Sequence, residues 1–326
     1  MISRDAMSGM RKTVLAYGET LWDLLPSGPV LGGAPFNFVY RVNCLGDRGL
    51  ICTRLGRDEL GREAFEKIDE LGMDTRLVQW DEDQPTGTVQ VDLSDKNNPS
   101  FFIVPGVAYD NIQPTDDVLR IAEGAHCICY GTLAQRTPAG REALAEILAA
   151  AGDGLRLLDI NLRPDCWTDQ TVRSSLERAD ILKLNEDEAR ELDAMFGLAA
   201  RSAPAFAEAI IGEWALSHCV VTFGERGAYA ASVEGETAYV PGYDVELADT
   251  CGSGDAFTAG FIYRLMRRRP LAECCVLGNA LGALVATQNG ATAAVTDEDV
   301  ERFLAEERAR ISEPELEPYT VEAEES

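Results

Sequence analysis

Short apolar runs rich in β-branched and aromatic residues alternate along this chain with longer amphipathic runs. The first apolar run, Thr13–Tyr17, precedes a predicted helix at 34–45. The other elements of the alternation are predicted strands at 50–55, 126–130, 156–161, 181–184 and 219–223, and predicted helices at 58–71, 138–151, 171–179, 187–196 and 205–216. Since parallel strands need helical crossovers, this order predicts a doubly wound α/β fold, with a mostly parallel sheet and helices on both faces.

The last third of the chain departs from the strand–helix alternation, with two consecutive strands followed by three consecutive helices. Two runs at 228–233 and 237–241 are close enough in sequence to predict an antiparallel pair at a sheet edge. Predicted helices follow at 255–266, 271–287 and 297–310. The second of them is rich in Ala and Leu, which indicates a buried helix.

A β-rich insertion interrupts the alternation at 86–104. Two apolar runs flank the turn-forming segment Asp95–Pro99 and predict a hairpin, which is a candidate lid. We therefore expect a main domain over 12–310. The expected lid is discontinuous and consists of the insertion at 84–111 together with residues near 26–33. The acidic tail, 311–326, is expected to be flexible.

The formal net charge is −26, which argues against a nucleic acid or an anionic membrane as partner. The nine Cys include no C-x-x-C pair, and several lie in apolar runs, as in a protein with free thiols in a reducing cytoplasm. The first twelve residues lack the apolar core of a signal peptide, so we expect a cytoplasmic protein.

The segment Asp249–Phe257, D-T-C-G-S-G-D-A-F, precedes an apolar helix. Its glycines permit backbone conformations closed to other residues, and the start of a helix offers unpaired N–H groups to an anion. Asp255 in the first helical turn would face that anion. A carboxylate beside an anion site suits phosphoryl transfer to a hydroxyl. The alternative is a glycine-rich loop in which Asp255 only caps the helix.

This segment resembles the D-T-x-G-[AS]-G-D-x-F signature of the ribokinase-like (PfkB) carbohydrate kinases. A second stretch, Gly32–Asn37, is similar to the G-G-[AS]-x-x-N signature of the same family. Two motifs in the family's order, with a β insertion between them, make a chance match improbable. The resemblance covers roughly residues 13–305, and it implies an ATP-dependent sugar kinase with a β lid and a Mg²⁺ requirement.

The resemblance implies the roles of the signature residues. Asp255 would be the catalytic base, and the backbone N–H groups of Gly252, Ser253 and Gly254 would form the anion hole. Asp249 matches a position that ligates a monovalent cation such as K⁺ in some members. Its alternative role is to cap the loop.

Two further stretches resemble the family's nucleotide site. Asn185 and Glu188 match the N-x-x-E motif, where Glu188 would hold Mg²⁺ through water, and the alternative is an ordinary helix cap. The other stretch, with Thr222, Gly224 and Gly227, matches T-x-G-x-x-G, in which the glycines would let the backbone approach ATP. Asn279, in a predicted helix, matches a position beside the adenine in relatives. The alternatives are a plain turn and a packing Asn.

The sugar site is implied by Asp23, Gly33, Asn37 and Arg163. We interpret Asp23 as the end of the first strand, and Arg163 lies in a D-x-N-x-R-x-x-x-W stretch found in fructokinase-type members. The alternative for Arg163 is a surface ion pair. The opening G-E-x-x-x-D-x-x-P also resembles fructokinases and predicts transfer to the 6-hydroxyl of fructose. Phe36, where a small residue is common, and the absence of a basic residue after the lid depart from that pattern.

Other functions remain as alternatives. Within the family they are a 2-keto-3-deoxygluconate kinase, a ribokinase or another ketose kinase. The alternative of another class is a scaffold or regulator that has this fold but no catalytic activity, although the signature Asp and glycines are present. The sequence has no P-loop, which excludes a P-loop kinase, and no dinucleotide fingerprint after the first strand, which disfavours a dehydrogenase. An open lid edge also predicts a homodimer formed through the lid.

Overall fold

The computed structural model describes residues 11–25, 28–92 and 100–321. Within these residues, nine strands form one sheet in the order β13-β12-β11-β10-β9-β8-β1-β4-β5. The strands are β1 (Thr13–Tyr17), β4 (Arg48–Gly56), β5 (Val78–Asp81), β8 (Cys127–Tyr130), β9 (Leu155–Asp159), β10 (Ile181–Asn185), β11 (His218–Thr222), β12 (Ala228–Ser232) and β13 (Thr237–Val240). The pairs from β5 to β11 are parallel. The pairs β11–β12 and β12–β13 are antiparallel, as predicted.

Helices cover both faces of this sheet. They are α1 (Ala34–Cys44), α2 (Glu59–Glu70), α3 (Asp116–Gly124), α4 (Pro138–Ala150), α5 (Asp169–Leu176), α6 (Glu186–Phe196), α7 (Ala203–Trp214), α8 (Ser253–Leu265), α9 (Leu271–Ala286) and α10 (Asp297–Ala305). The sequence patterns predict neither β5 nor α3, and the helix predicted at 297–310 ends at Ala305. In the described part of the chain, no helix has both the length and the apolar character needed to cross a bilayer.

Strand β1 lies in the middle of the core and serves both faces. Leu15 and Tyr17 join one hydrophobic cluster, whereas Val14 and Ala16 join another that includes residues of α1 and α8. This alternation follows from the two-residue period of a strand. Because both faces are buried, the run is continuously apolar, which is why its strand character is visible in the sequence.

A second sheet, the lid sheet, has the order β3-β2-β6-β7, with β2 (Leu21–Leu25), β3 (Gly28–Gly32), β6 (Gly87–Asp92) and β7 (Ser100–Ile103). The hairpin expected at 86–104 is present, and its turn at Asp95–Pro99 lies outside the described residues. The assignment of Asp23 to the end of the first strand is wrong. Strand β1 ends at Tyr17, and Asp23 lies in β2, which pairs with β3 and β6. The chain turns at Gly18, so the run 13–23 is two strands in two sheets.

The C-terminal segment differs from the flexible tail expected from its acidity. Arg310 and Ile311 form β15, which pairs with β14 (Gly242–Tyr243), and residues 314–319 form a 3₁₀ helix. Leu316 is only 2% exposed and belongs to the main core cluster. The burial of Leu316, the pairing of β15 with β14 and the packing of Tyr319 on Tyr229 together hold a segment whose composition indicates disorder. Residues 322–326 of the expected tail lie outside the described part.

The burial of Leu316 predicts a large effect of truncating it. Leu316→Ala should lower the free energy of unfolding by about 2–4 kcal/mol, since it removes buried methyl groups and leaves a cavity. Leu247 is 53% exposed, so Leu247→Ala is a matched control expected to change stability by less than about 0.5 kcal/mol. Urea unfolding followed by circular dichroism measures both variants. Equal stabilities of the two variants would contradict the packing of this segment.

Candidate functional site

The candidate site lies at the carboxyl edge of the parallel strands, where α/β sheets place ligands. Strands β1, β8 and β9 end there beside a shallow cleft. Its lining includes Glu19, Pro35, Tyr130, Asp159 and Arg163. Of the residues predicted for the site, only Arg163 is in this lining, and the contacts of the others are described below.

Asp255 lies in the first turn of α8, and Asn37 reaches it from α1. Asn37 Nδ2 donates to Asp255 Oδ2 at 2.9 Å, so two residues 218 positions apart in sequence are in direct contact. Burial raises the pKa of Asp255 to about 6, and the negative charge of Asp159 acts in the same direction. The hydrogen bond from Asn37 and the positive charges of Lys183 and Arg163 oppose the rise. The carboxyl group is therefore mostly ionised at neutral pH yet able to take up a proton.

The loop before α8 has the conformation that its glycines suggest. Gly252 is the N-cap of α8 with φ +76°, and a Cβ there would lie 2.4 Å from the Cβ of Ala291. Both facts require glycine. No side chain caps the helix, so the alternative in which Asp255 is only a cap is not what the structure contains. Of the three predicted donors, the N–H of Ser253 donates to Thr250 O at 3.2 Å.

A buried ion pair that the motifs do not reveal lies under this loop. Lys183 Nζ donates to both carboxylate oxygens of Asp159, at 3.0 and 3.3 Å, and Thr258 Oγ1 donates to Asp159 Oδ2 at 2.7 Å. A Cβ on Gly254 would lie 3.5 Å from Lys183 Nζ. Burial alone would lower the pKa of Lys183, but the carboxylates of Asp159 and Glu188 outweigh it and raise the pKa. The sequence signal was a lysine inside the apolar strand 181–185, in a chain with only four lysines.

Two other residues assigned to sugar binding, Gly33 and Asp23, lie near Glu19 and Arg163, respectively. A Cβ on Gly33, where φ is +120°, would lie 2.4 Å from the carbonyl oxygen of Glu19. Burial raises the pKa of Asp23, and the charge of exposed Arg163 opposes that rise. Glu19, which the sequence patterns did not single out, is 5% exposed, and burial raises its pKa to about 7. Its Oε1 accepts from the N–H of Ala34 at 3.3 Å.

The residues assigned to the nucleotide form a separate group. Asn185 and Thr222 are paired in the register of β10 and β11. Gly224 and Gly227 both have positive φ, and a Cβ on Gly227 would lie 2.0 Å from Val240 O. Asn279 Nδ2 donates to that same Val240 O at 2.9 Å. The turn and the α9 amide thus meet at the end of β13, and the side chain of Asn279 anchors α9 to the strand.

The two residues assigned to metal ions are engaged in backbone capping. Glu188 Oε2 accepts from Asn185 N–H and Oε1 from Leu162 N–H, both at 2.8 Å, while Asn185 Oδ1 accepts from Glu188 N–H. Asp249 Oδ1 accepts from Cys251 N–H at 2.9 Å and Oδ2 from Gly290 N–H at 3.1 Å. Among the described residues, no group of three or more His, Cys, Asp or Glu side chains is arranged to hold a metal. The capping alternatives stated for both positions are therefore present in the structure.

Comparison with known proteins gives one family. The model of the pfkB family carbohydrate kinases matches residues 29–298. A fructokinase of Klebsiella pneumoniae is 30% identical over 318 residues, which cover 90% of this chain and all of that protein. A 2-dehydro-3-deoxygalactonokinase of Haloferax volcanii is 28% identical over 316 residues, with 90% and 97% of the two chains covered. A Vibrio cholerae fructokinase structure with bound fructose, ADP and calcium is 26% identical, with a TM-score of 0.76 and 90% and 99% coverage.

The environment of Asp255 predicts that it destabilises the fold at neutral pH. Its pKa is about 6 in the folded chain and near 4 in an unfolded one, so ionisation costs more in the folded state. Asp255→Asn should raise the free energy of unfolding by about 1–3 kcal/mol at pH 8. The gain should shrink as the pH falls from 6 to 4, where the wild-type carboxyl becomes protonated in both states. Urea unfolding at pH 8 and pH 4 measures it.

Asp153 is exposed, which makes Asp153→Asn the matched control for loss of one surface charge. That variant should show no comparable gain at pH 8. A gain from Asp255→Asn that is equal at pH 4 and pH 8 would contradict a raised pKa as its cause.

Proposed function

The chain belongs to the pfkB family of carbohydrate kinases and is an ATP-dependent sugar kinase, and we propose that its acceptor is the 6-hydroxyl of fructose. The observation that carries the proposal is the position of Asp255. It is a half-buried carboxylate with a raised pKa, next to a helix N-terminus and held by Asn37. A base and an anion site side by side are what transfer to an alcohol requires.

In the proposed mechanism, Asp255 takes the proton of the 6-hydroxyl while the oxygen attacks the γ-phosphorus of ATP. The new O–P bond forms as the bond from the γ-phosphorus to the bridging oxygen breaks, and ADP leaves. Asn37 holds Oδ2, so Oδ1 remains to receive the proton. A carboxyl with a pKa of about 6 is ionised at neutral pH and is a stronger base than an ordinary aspartate.

The charge on the transferring phosphoryl group is met by the start of α8 and by Lys183. The N–H groups of Gly252, Ser253 and Gly254 form the proposed anion hole, in which Ser253 N–H would exchange its hydrogen bond to Thr250 O for one to the phosphoryl group, with the positive end of the helix dipole behind them. Lys183 Nζ lies under Gly254 and stays protonated because of Asp159. Its charge would act on the phosphoryl group through the loop.

ATP would lie along the turn formed by Thr222, Gly224 and Gly227, with Asn279 holding the end of β13 beside it. We propose that it binds as Mg·ATP. Glu188 already accepts two backbone N–H groups, so it fits contact through a water of the hydrated ion rather than direct ligation.

The charges around the cleft favour a neutral sugar. Glu19, which is partly ionised at neutral pH, and Asp23 are the acidic groups on the acceptor side, and Arg163 is the positive group that acts on both of them. Carboxylates accept hydrogen bonds from sugar hydroxyls but repel an acidic sugar. Fructose fits this setting, and relatives named fructokinase support it. Arg163, exposed beside the cleft, favours a 2-keto-3-deoxy sugar acid as the second candidate.

Coupled ADP release with Mg·ATP tests the reaction over fructose, ribose, 2-keto-3-deoxygluconate, tagatose, glucose and adenosine. We expect the highest kcat/KM with fructose. Asp255→Asn should lower kcat by roughly two to four decades, since it removes the general base, while Asp153→Asn should match the wild type. Near-wild-type turnover of Asp255→Asn would exclude the proposed base. Folded protein that binds ATP and phosphorylates none of these acceptors would favour the scaffold function.

We also propose a cytoplasmic homodimer formed through the lid sheet. Leu24 and Phe102 are 37% and 58% exposed, and both are in register with Gln90, so they share one face. Strands β3 and β7 leave the two edges of this sheet unpaired within the described residues, and open edges invite pairing.

Light scattering coupled to size-exclusion chromatography tests the dimer. The wild type should elute at twice the mass of one chain, and Phe102→Asp should shift it toward the monomer because a charge would be buried in the interface. Val233 is 64% exposed and lies outside the lid, so Val233→Asp is the control expected to stay dimeric. A wild-type monomer, with and without sugar, would contradict the proposal.

A further inference from the structure

Arg41, in the last turn of α1, is the largest fully buried side chain of the described chain, with 1% exposure. Its Nη2 donates to the carbonyl oxygen of Ala291, and its Nε and Nη1 have no hydrogen-bond partner among the described residues. The guanidinium also lies 5.1 Å from the ring of Tyr40. No described carboxylate forms an ion pair with it. Such a buried charge is costly, so the position calls for a functional explanation.

The guanidinium is attached to the support of the anion loop. Ala291 packs directly against Gly252, where a Cβ would lie 2.4 Å from the Cβ of Ala291. The preceding residue, Gly290, donates its N–H to Asp249 at the start of the same loop. The negative charge of Asp255 also acts on Arg41. Arg41 thus places a positive charge behind the loop that would hold the phosphate.

The oxygens of this region that could ligate a monovalent cation already accept hydrogen bonds. Both carboxylate oxygens of Asp249 accept backbone N–H groups, from Cys251 and Gly290. The carbonyl of Ala286 accepts from the N–H groups of Ala248 and Asp249, and the carbonyl of Ala291 accepts from Arg41 itself. An ion such as K⁺ needs several oxygens directed at one point. Here each of these oxygens already accepts at least one donor, and one of those donors is the guanidinium of Arg41, whose positive charge would repel a cation bound beside it.

We propose that Arg41 is a built-in cation that positions the anion loop and makes the kinase independent of K⁺. The expectation that Asp249 binds a monovalent cation is thereby replaced by a capping role for Asp249 and a charge supplied from α1. The inference rests on the proposed kinase site. Arg41 touches neither sugar nor nucleotide in this arrangement, so it is a positioning residue that acts through Ala291 and Gly252.

A guanidinium has one advantage over a bound ion, because its positive charge is always present. Arginine stays protonated at every physiological pH, and it cannot dissociate. The loop would therefore keep its geometry whatever the salt composition. Loss of the charge should affect the phosphoryl-transfer step more than the binding of the sugar, because the loop faces the phosphate and not the sugar hydroxyls.

The test measures turnover in a buffer whose only added cation is tetramethylammonium, with and without KCl at constant ionic strength. We expect the wild-type kcat to change less than twofold on addition of K⁺. Arg41→Met, which keeps the length and loses the charge, should lower kcat roughly 10- to 100-fold through misplacement of the loop, with the sugar KM little changed. KCl should restore part of that loss. Arg41→Lys should retain most of the K⁺-independent turnover.

A thermal midpoint and an ATP titration by calorimetry provide readouts that do not depend on turnover. The wild-type midpoint and ATP affinity should be the same in both buffers, whereas K⁺ should raise the midpoint of Arg41→Met. Severalfold K⁺ activation of the wild type, or wild-type kcat in folded Arg41→Met, would overturn the inference. If Arg41→Met does not fold, the wild-type comparison decides.

The same data separate this inference from the proposed function. Wild-type protein that phosphorylates no sugar refutes the kinase proposal, yet its midpoint and ATP affinity with and without K⁺ still test the built-in cation. Wild-type protein that phosphorylates fructose only in the presence of K⁺ supports the kinase and refutes the role of Arg41.

Discussion

The ion pair between Asp159 and Lys183 is the interaction on which the site depends. It joins the last residue of β9 to the middle residue of β10, and Thr258 ties the same carboxylate to α8. Removing one partner of a buried pair typically costs about 3–5 kcal/mol, because the other charge is left uncompensated. The pair therefore fixes the distance between the sheet edge and the helix that carries Asp255. The sheet and helix α8 therefore meet at Asp159, and a small displacement there would move Asp255 away from the phosphate site.

The same pair sets the electrostatics of the base. The carboxylate of Asp159 raises the pKa of Asp255, and Lys183 lowers it, so the two partners act in opposite directions on one neighbour. Burial adds the largest contribution and leaves the pKa near 6. A carboxylate with a raised pKa is a better proton acceptor, but its ionisation in the folded state lowers the free energy of unfolding. Strong basicity and low local stability have one physical origin here.

The parts of the structure that the sequence predicted are those with a local signal. Strand–helix alternation predicted the sheet and most of its helices, and the glycines around Asp255 predicted the loop. Asp23 was misplaced because one apolar run holds two strands of different sheets, and only the turn at Gly18 separates them. Lys183 was missed because its role depends on Asp159, 24 residues away. The tail was misjudged because its contacts with the main domain, including the burial of Leu316 and the packing of Tyr319 on Tyr229, are not visible in its acidic composition.

Helix α1 connects the base to the loop that would hold the phosphate. Asn37 and Arg41 are four residues apart, so their side chains project from the same face of the helix, toward α8 and the Ala291 segment. The neutral amide orients the carboxylate of Asp255, and the cation is bonded to the support of Gly252. A shift or rotation of α1 would move both contacts together. Base and loop are thus aligned by one rigid element, and the glycine signature before this helix, at 32–33, fixes where that element begins.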